Sequence, residues 1–228
     1  MDSAALRATS HDIYQDLHHQ LMNGFFKPGV KIKPEALRKN YCCSANTIRD
    51  VLLRLTSAGL TTFEEQRGFR APISTPERRH DVARFRMLLE QDGAVKSMRY
   101  GGVAWQSRLT AAHHKLSHIE RMIFRLGELA DHTRLWSQVE WEFHDTLISA
   151  CGSPMLRQNY RNTYDQFRQQ MISQERDFGM SYFESIIAEH QAILDAALGD
   201  DEDACREAIF LHLKRNFVKE DPVAYRAG

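Results

Sequence analysis

The chain has 228 residues, a formal net charge of zero and 43% apolar residues. No apolar run approaches the roughly 18 residues that a membrane span needs, and the N-terminus lacks the charged-then-apolar order of a secretory signal. The four cysteines form none of the CxxC pairs typical of structural zinc sites or redox motifs. We therefore expect a cytoplasmic globular protein with two domains.

The first third of the chain predicts a winged helix-turn-helix. Apolar residues spaced by three and four indicate three short helices, with Ser44 as the N-cap of the third and Gly59 at its end. Two β-prone pieces follow in "LTTFEEQRGFRAPI" and predict a hairpin around Arg67 and Gly68. The three helices are expected near residues 11–23, 34–40 and 44–58.

The remainder of the chain carries helix signals and no strand signal. The segment "STPE" starts a helix with Thr75 as N-cap and Pro76 in the first turn. Glycines then separate the helices that follow. The predicted fold is mostly α: a winged helix-turn-helix of three helices plus a short β-hairpin, then an all-α bundle of six or seven helices. We predict domains at 1–74 and 80–220 joined by a linker or helix start at 75–79, with bundle helices near 76–100, 105–127, 132–151, 154–178, 182–198 and 201–219.

Basic charge is concentrated in the first domain. Residues 1–75 carry ten Lys/Arg and seven Asp/Glu, whereas residues 76–228 carry twenty and twenty-three. Between Lys27 and Arg49 six basic residues face one acid, Glu35. Such a patch suits contacts with phosphates. On charge alone, a solvated surface loop explains it equally well.

The third helix has the polar face that DNA reading requires. In a helix-turn-helix the second helix of the motif enters the major groove, so its first residues must be polar while the opposite side stays apolar. Arg49 is suited to donate two parallel hydrogen bonds to guanine, and basic residues just before the helix and at the hairpin tip suit phosphates. The predicted DNA-binding residues are Arg38, Lys39, Ser44, Asn46, Thr47, Arg49, Arg67 and Gly68.

The stretch "PGVKIKPEALRKNYCCSANTIRDVLLRLTSAGLTTFEEQRGFRAPIS" resembles the winged-helix domain of GntR-type bacterial transcription regulators. It shares with that family a Pro-Gly turn, a Ser-initiated recognition helix and an Arg-Gly wing. The sequence departs from the family at Ala45, where Arg usually follows the opening Ser. One DNA contact is therefore missing, which implies a different operator or weaker affinity. A winged helix used only for protein contacts is the alternative.

Four polar residues interrupt the apolar stripes of the second domain. Glu140 and His144 lie four apart on one helix and point the same way, and His190 and His212 interrupt the stripes of two other helices. Burying these groups without partners costs several kcal/mol. A divalent transition metal bound by the imidazoles and the carboxylate satisfies them. A polar pocket filled with water is the alternative.

The segments "RFRMLLEQDGAV", "EWEFHDTLISACGSPML" and "EHQAILDAALGDDEDACREAIFLHL" resemble the helical FCD effector domain of the FadR-like branch of GntR regulators. In metal-containing members an acidic residue, a His four later, a His before "xxIL" and a His before a Leu bind the ion. The resemblance implies a divalent transition metal, zinc first and nickel, manganese or iron as alternatives. Glu140 departs from the family, which usually has Asp there. The implied ligands are Glu140, His144, His190 and His212.

The resemblance also implies an effector site. In "RMLLE", Arg86 is suited to hold the carboxylate of a small organic acid through two parallel N–H bonds. The alternative is a surface ion pair with Glu90, four residues later. Arg134, Arg157 and Arg161 are further candidates for effector binding.

Together these features predict a ligand-responsive transcription regulator with no catalytic residues. It would repress a catabolic operon and bind near-palindromic double-stranded operator DNA as a homodimer. The alternative from another class is a metal-dependent hydrolase or lyase with Glu142 or Asp145 as base. Against this alternative, Glu142 is rotated by about 200° from Glu140 on the helix, and the chain has no HExxH motif. A module that senses metal alone is a further alternative.

Overall fold

The structure is a computed structural model that describes residues 8–127, 129–172 and 180–218. These residues form two compact units. The first contains residues 8–75 and 164–172, and the second contains residues 76–127, 129–163 and 180–218. No helix in the described ranges combines the length and the apolar character needed to cross a membrane.

The first unit begins with three helices at the predicted places. Thr9 caps α1, because its hydroxyl accepts from Asp12 N at 3.2 Å while the Asp12 carboxylate accepts from Thr9 N at 2.9 Å. Ser44 caps α3 as predicted and accepts from Thr47 N at 3.1 Å. The helices are α1 (Ser10–Met22), α2 (Pro34–Asn40) and α3 (Ala45–Ser57).

A small antiparallel sheet completes the winged helix. The predicted hairpin is present as β2 (Thr62–Glu64) and β3 (Gly68–Arg70), and it turns through Gly68 at a left-handed φ of 77°. The structure adds a strand that the sequence did not predict, β1 (Lys31–Ile32), which pairs with β3 to give the order β1-β3-β2. A strand of two residues is too short to show a period of two, so only its pairing partner reveals it.

The second unit is helical throughout its described residues. Helix α5 begins earlier than predicted, and α6 ends at Leu147 instead of 151. The chain leaves α6 through tight turns, in which Ser149 N and Cys151 N donate to the carbonyls three residues earlier. Residues 173–178 of the predicted fourth bundle helix, and the break at Gly179, lie outside the described residues. The helices are α4 (Pro76–Tyr100), α5 (Gly102–Leu126), α6 (Leu129–Leu147), α7 (Pro154–Ile172), α8 (Met180–Leu198) and α9 (Glu202–Leu213), with a 3-10 turn at Lys214–Asn216. Residues 164–172 of α7 belong to the first unit.

Helices α4 and α6 approach closely at one point. A Cβ added to Gly93 would lie 2.8 Å from the Cβ of Ile148, so only glycine fits at this position. Glu90 lies about one turn before Gly93 on α4, and His144 lies about one turn before Ile148 in the chain. The close approach therefore brings Glu90, on the buried side of α4, within reach of His144 on α6.

Candidate DNA-binding helix and candidate metal centre

Helix α3 separates an apolar from a polar face. Ile48, Val51, Leu52 and Leu55 are fully buried. On the other side Asn46 and Arg49 are exposed. The helix thus packs into the core of the first unit through one face and leaves the other face exposed.

The basic candidates around α3 lie on the surface of the first unit. Arg49 stands over the Phe63 ring, with its Cζ 5.6 Å from the ring centroid. Arg38 pairs with Glu35 at 2.8 Å and Arg67 with Glu64 at 2.9 Å, and such exposed ion pairs contribute little to stability. Ser44, Thr47, Lys39 and Gly68 also lie at the exposed or partly exposed surface.

The four residues predicted to bind metal lie together inside the second unit. Glu140, His144, His190 and His212 each offer one donor atom, and these atoms all lie within 4.8 Å of one another. All four side chains are buried. Ligand bonds of about 2.0 to 2.2 Å place donors roughly 3 to 4 Å apart around one ion, so small side-chain adjustments suffice. The donor set of one carboxylate and three imidazoles fits a divalent transition metal.

Each of the three histidines meets a further carboxylate through its Nδ1 atom. Nδ1 of His144 donates to Glu90 Oε1. Nδ1 of His190 lies 2.9 Å from Glu120 Oε1, and Nδ1 of His212 lies 3.1 Å from Glu189 Oε2. Both ring nitrogens of His190 are buried: Nδ1 has the close contact with Glu120 but no well-directed hydrogen bond, and Nε2 has no hydrogen-bond partner in the described part of the chain. Nε2 is the ring nitrogen that a metal would bind.

The sequence pattern did not identify these carboxylates as site residues, although two of them carried a signal. Glu120 interrupts the buried stripe of α5 between Leu116 and Ile123, which is the same anomaly that drew attention to Glu140. Glu189 directly precedes His190. The sequence pattern indicated Glu90 only as an ion-pair partner of Arg86.

Burial and neighbouring charges set the protonation of the cluster. Burial lowers the pKa of His144, and burial together with His190 and His144 lowers the pKa of His212 well below its usual value. Burial opposes the charged form of His190 as well, but Glu120, together with Glu140 and Glu189, outweighs burial and raises the pKa of that imidazole. Metals bind the neutral imidazole, so the lowered pKa values of His144 and His212 favour metal binding, whereas the raised pKa of His190 means that an ion would compete with a proton there.

Glu90 is the acceptor at the centre of a buried polar network. Its Oε2 accepts from Arg86 Nε at 3.1 Å and from the Tyr160 hydroxyl at 2.9 Å, and its Oε1 accepts from His144. Burial disfavours the carboxylate, but His144 and Arg86 outweigh burial and lower the pKa of Glu90 to about 2. Arg86 and Glu90 do pair, but both are fully buried, so the surface ion pair considered from the sequence is wrong.

The other arginines considered for effector binding stand on the surface or contact residues other than Glu90. Arg134 is exposed. Arg157 donates to both oxygens of Asp145 at 3.0 and 3.1 Å. Arg161 stacks over Trp141, with 5.0 Å from its Cζ to the ring centroid. Arg157 and Arg161 line a cleft of about 450 Å³ together with Asp145.

The comparisons with known proteins agree with both units. The model of the FCD domain matches residues 81–215, and that of the bacterial regulatory proteins of the gntR family matches residues 9–70. The chain belongs to the GntR family. It is a DNA-binding transcription regulator with an FCD effector domain, which confirms the prediction of a regulator and excludes the hydrolase or lyase.

Relatives of this GntR regulator are similar over most of its length. The uncharacterized regulator BphR of Paraburkholderia xenovorans (strain LB400) is 28% identical, over 92% of this chain and 84% of BphR. The transcriptional repressor GlaR of Escherichia coli (strain K12) is 25% identical, over 90% of this chain and 92% of GlaR. The solved structure of E. coli McbR/YncC has the same fold, with a TM-score of 0.73 at 18% identity, over 91% of this chain and 94% of McbR/YncC.

The buried pair of Arg86 and Glu90 generates a stability prediction. Glu90→Gln leaves the Arg86 guanidinium without its counter-charge in the core, so the free energy of unfolding should fall by about 3 to 5 kcal/mol. Glu142→Gln is the matched control, because Glu142 pairs with Lys115 on the surface and its loss should cost at most about 1 kcal/mol. Urea denaturation of the full chain measures both. Equal costs would contradict a buried, charge-compensated pair.

Proposed function

We propose that this GntR regulator represses a catabolic operon and senses a small organic acid at a metal-containing pocket of its FCD domain. It binds near-palindromic operator DNA in the cytoplasm as a homodimer, because a helix-turn-helix reads two symmetric half-sites with two copies. One observation carries the proposal: one carboxylate and three imidazoles converge in the interior of the effector domain.

The chemistry of the cluster supports a resident metal. Three buried imidazoles and a carboxylate are costly without a partner for their inward atoms, and His190 Nε2 has none in the described residues. Zinc is the first choice for such nitrogen and oxygen donors, with nickel, manganese or iron as alternatives. When bound, the ion would offer positive charge and open coordination positions to the oxygens of an acid.

The names of two relatives support the biological role. GlaR is named a transcriptional repressor. A further relative in Escherichia coli (strain K12), 24% identical over 81% of this chain, is named a putative L-lactate dehydrogenase operon regulatory protein. L-lactate is a small hydroxy acid, so its carboxylate and hydroxyl are oxygen donors of the kind that a partly coordinated metal accepts.

The exposed face of α3 supports base reading by Arg49. Arg49 and Asn46 project from the buried stripe of the helix, and Lys39 and Arg38 stand at the end of α2, where the DNA backbone would pass. Arg67 and Gly68 would meet the DNA backbone from the hairpin. The hydroxyls of Ser44 and Thr47 form a hydrogen bond with each other at the start of α3. Both hydroxyls are also suited to contact DNA phosphates.

The DNA proposal predicts different effects for two basic residues. Arg49→Ala should cost about 1 to 3 kcal/mol on the preferred operator and relax the preference at one base pair. Lys39→Ala should weaken binding to all sequences alike and reduce the salt dependence. Both are measured by fluorescence anisotropy on an operator selected from random DNA by the wild type.

Arg54→Ala is the matched control for these measurements. Arg54 lies on the same helix, but its Cζ stands 4.5 Å from the centroid of the Tyr14 ring. This substitution should leave base preference unchanged. Equal losses on operator and random DNA for Arg49→Ala would contradict the base-reading role.

The metal proposal predicts about one transition-metal ion per chain in protein purified without chelators or an affinity tag. His190→Ala should abolish the bound metal during purification, because it removes one of the four ligands and lowers the affinity of the remaining three for the ion. His114→Ala, which changes an exposed histidine of α5, should retain it. Elemental analysis measures both. Unchanged metal content in His144→Ala, His190→Ala and His212→Ala alike would place the ion elsewhere.

The effector proposal predicts positive coupling between acid and metal. Calorimetry with L-lactate and with succinate should show tighter binding to metal-loaded than to chelator-treated protein, because the ion supplies charge to the acid's oxygens. Arg86→Lys should weaken acid binding and keep the metal, since lysine retains the charge beside Glu90 but loses the two parallel N–H donors.

Arg134, Arg157 and Arg161 are replaced by lysine in the same way, one at a time. The loss of acid affinity in each variant ranks the four candidate effector-binding arginines. An acid that binds equally well with and without metal would contradict the coordinated effector. Metal binding without any response of DNA affinity to acids would favour a sensor of metal alone.

A further inference from the structure

The three histidines of the cluster share one arrangement on different pairs of helices. Glu90 of α4 accepts from His144 of α6, Glu120 of α5 stands 2.9 Å from His190 of α8, and Glu189 of α8 stands 3.1 Å from His212 of α9. In every case the carboxylate meets Nδ1. The shared arrangement leaves Nε2 of each ring as the nitrogen for a metal.

We propose that Glu90, Glu120 and Glu189 are positioning residues of the metal centre, each acting through one histidine. The inference rests on the proposed metal site. A carboxylate on Nδ1–H fixes the neutral tautomer with its lone pair on Nε2, holds the ring plane and increases the electron density that Nε2 gives to the ion. The fold therefore prepares three imidazoles for one ion before the ion binds.

The three carboxylates differ in how far other groups neutralise them. Arg86 compensates Glu90, and Arg215 donates to Glu189. The contacts of Glu120 in the described part of the chain are the neutral Trp136 Nε1–H at 3.3 Å and His190 itself.

Glu120 is also fully buried, whereas Glu189 keeps 18% of its side chain exposed. A buried carboxylate without a cationic side chain in contact interacts most strongly with the imidazole beside it. Glu120 should therefore have the largest influence on metal affinity, and it should exert that influence through His190.

A purely structural role for these carboxylates makes a different prediction. Glutamine keeps the size of glutamate and an oxygen that accepts from Nδ1–H, so Glu120→Gln preserves the packing between α5 and α8. It removes only the negative charge. If Glu120 serves packing alone, this substitution leaves metal affinity unchanged, whereas a positioning residue loses affinity and alters the environment of the ion.

Titration of the full chain with Co²⁺ separates the two roles. Metal-stripped protein competes with a chelator for Co²⁺, and visible absorption reports the geometry around the ion. Glu120→Gln should weaken Co²⁺ binding by about 10- to 100-fold and shift the absorption bands. Glu189→Gln should weaken it less, because Arg215 already offsets part of that charge. Glu142→Gln, on the surface of α6, is the control and should match the wild type in both measurements.

The outcomes distinguish this inference from the metal site on which it rests. A wild type that binds no Co²⁺ overturns the metal site and the positioning role together. A wild type that binds Co²⁺ while Glu120→Gln and Glu189→Gln match it in affinity and spectrum overturns the positioning role alone. Circular dichroism of the metal-stripped variants verifies folding. If Glu120→Gln does not fold, the partly exposed Glu189 carries the test by the same two measurements.

Discussion

The second unit depends on burying charge-bearing side chains inside a helical core. Water would solvate a carboxylate and three imidazoles, and the interior offers nothing comparable unless specific partners replace it. The structure supplies a first set of partners as three further carboxylates on the Nδ1 atoms. Nε2 of His190 has no hydrogen-bond partner in the described residues, and the proposed divalent metal would supply one. Helices α4, α5, α6, α8 and α9 all contribute residues, so the cluster constrains most of the unit.

Arg86 extends this network to the first helix of the bundle. Its guanidinium and the Tyr160 hydroxyl both donate to Glu90, which in turn accepts from His144. A movement of His144, one of the proposed metal ligands, would therefore displace Glu90 on α4 and Tyr160 on α7. Hydrogen bonds would transmit this movement in addition to apolar packing. Such a network is fully satisfied in few arrangements, which favours discrete states of the bundle over gradual deformation. Discrete states are what a ligand-responsive regulator requires.

The core of the first unit is apolar. Its candidate DNA-binding residues lie on the surface of α3, at the end of α2 and on the hairpin. Local capping by Thr9 and Ser44 sets where α1 and α3 begin, so the orientation of the recognition face follows from residues close in the chain. Ala45 leaves the start of that face without the arginine usual in the family. In the proposed DNA complex, the other polar residues of the first unit would provide the operator affinity.

The sequence by itself determined the helices, the hairpin and the ligand set of the proposed metal site. Each of these depends on short spacings: a period of 3.6 places Glu140 and His144 on one face whatever the rest of the chain does, and Ser44 caps the helix that follows it. Only the tertiary structure decided that Glu90 meets His144, that Glu120 meets His190, and that Arg86 is buried. Those contacts join helices far apart in the chain, and they depend on how closely the helices pack, as at Gly93 against Ile148, which no local pattern encodes.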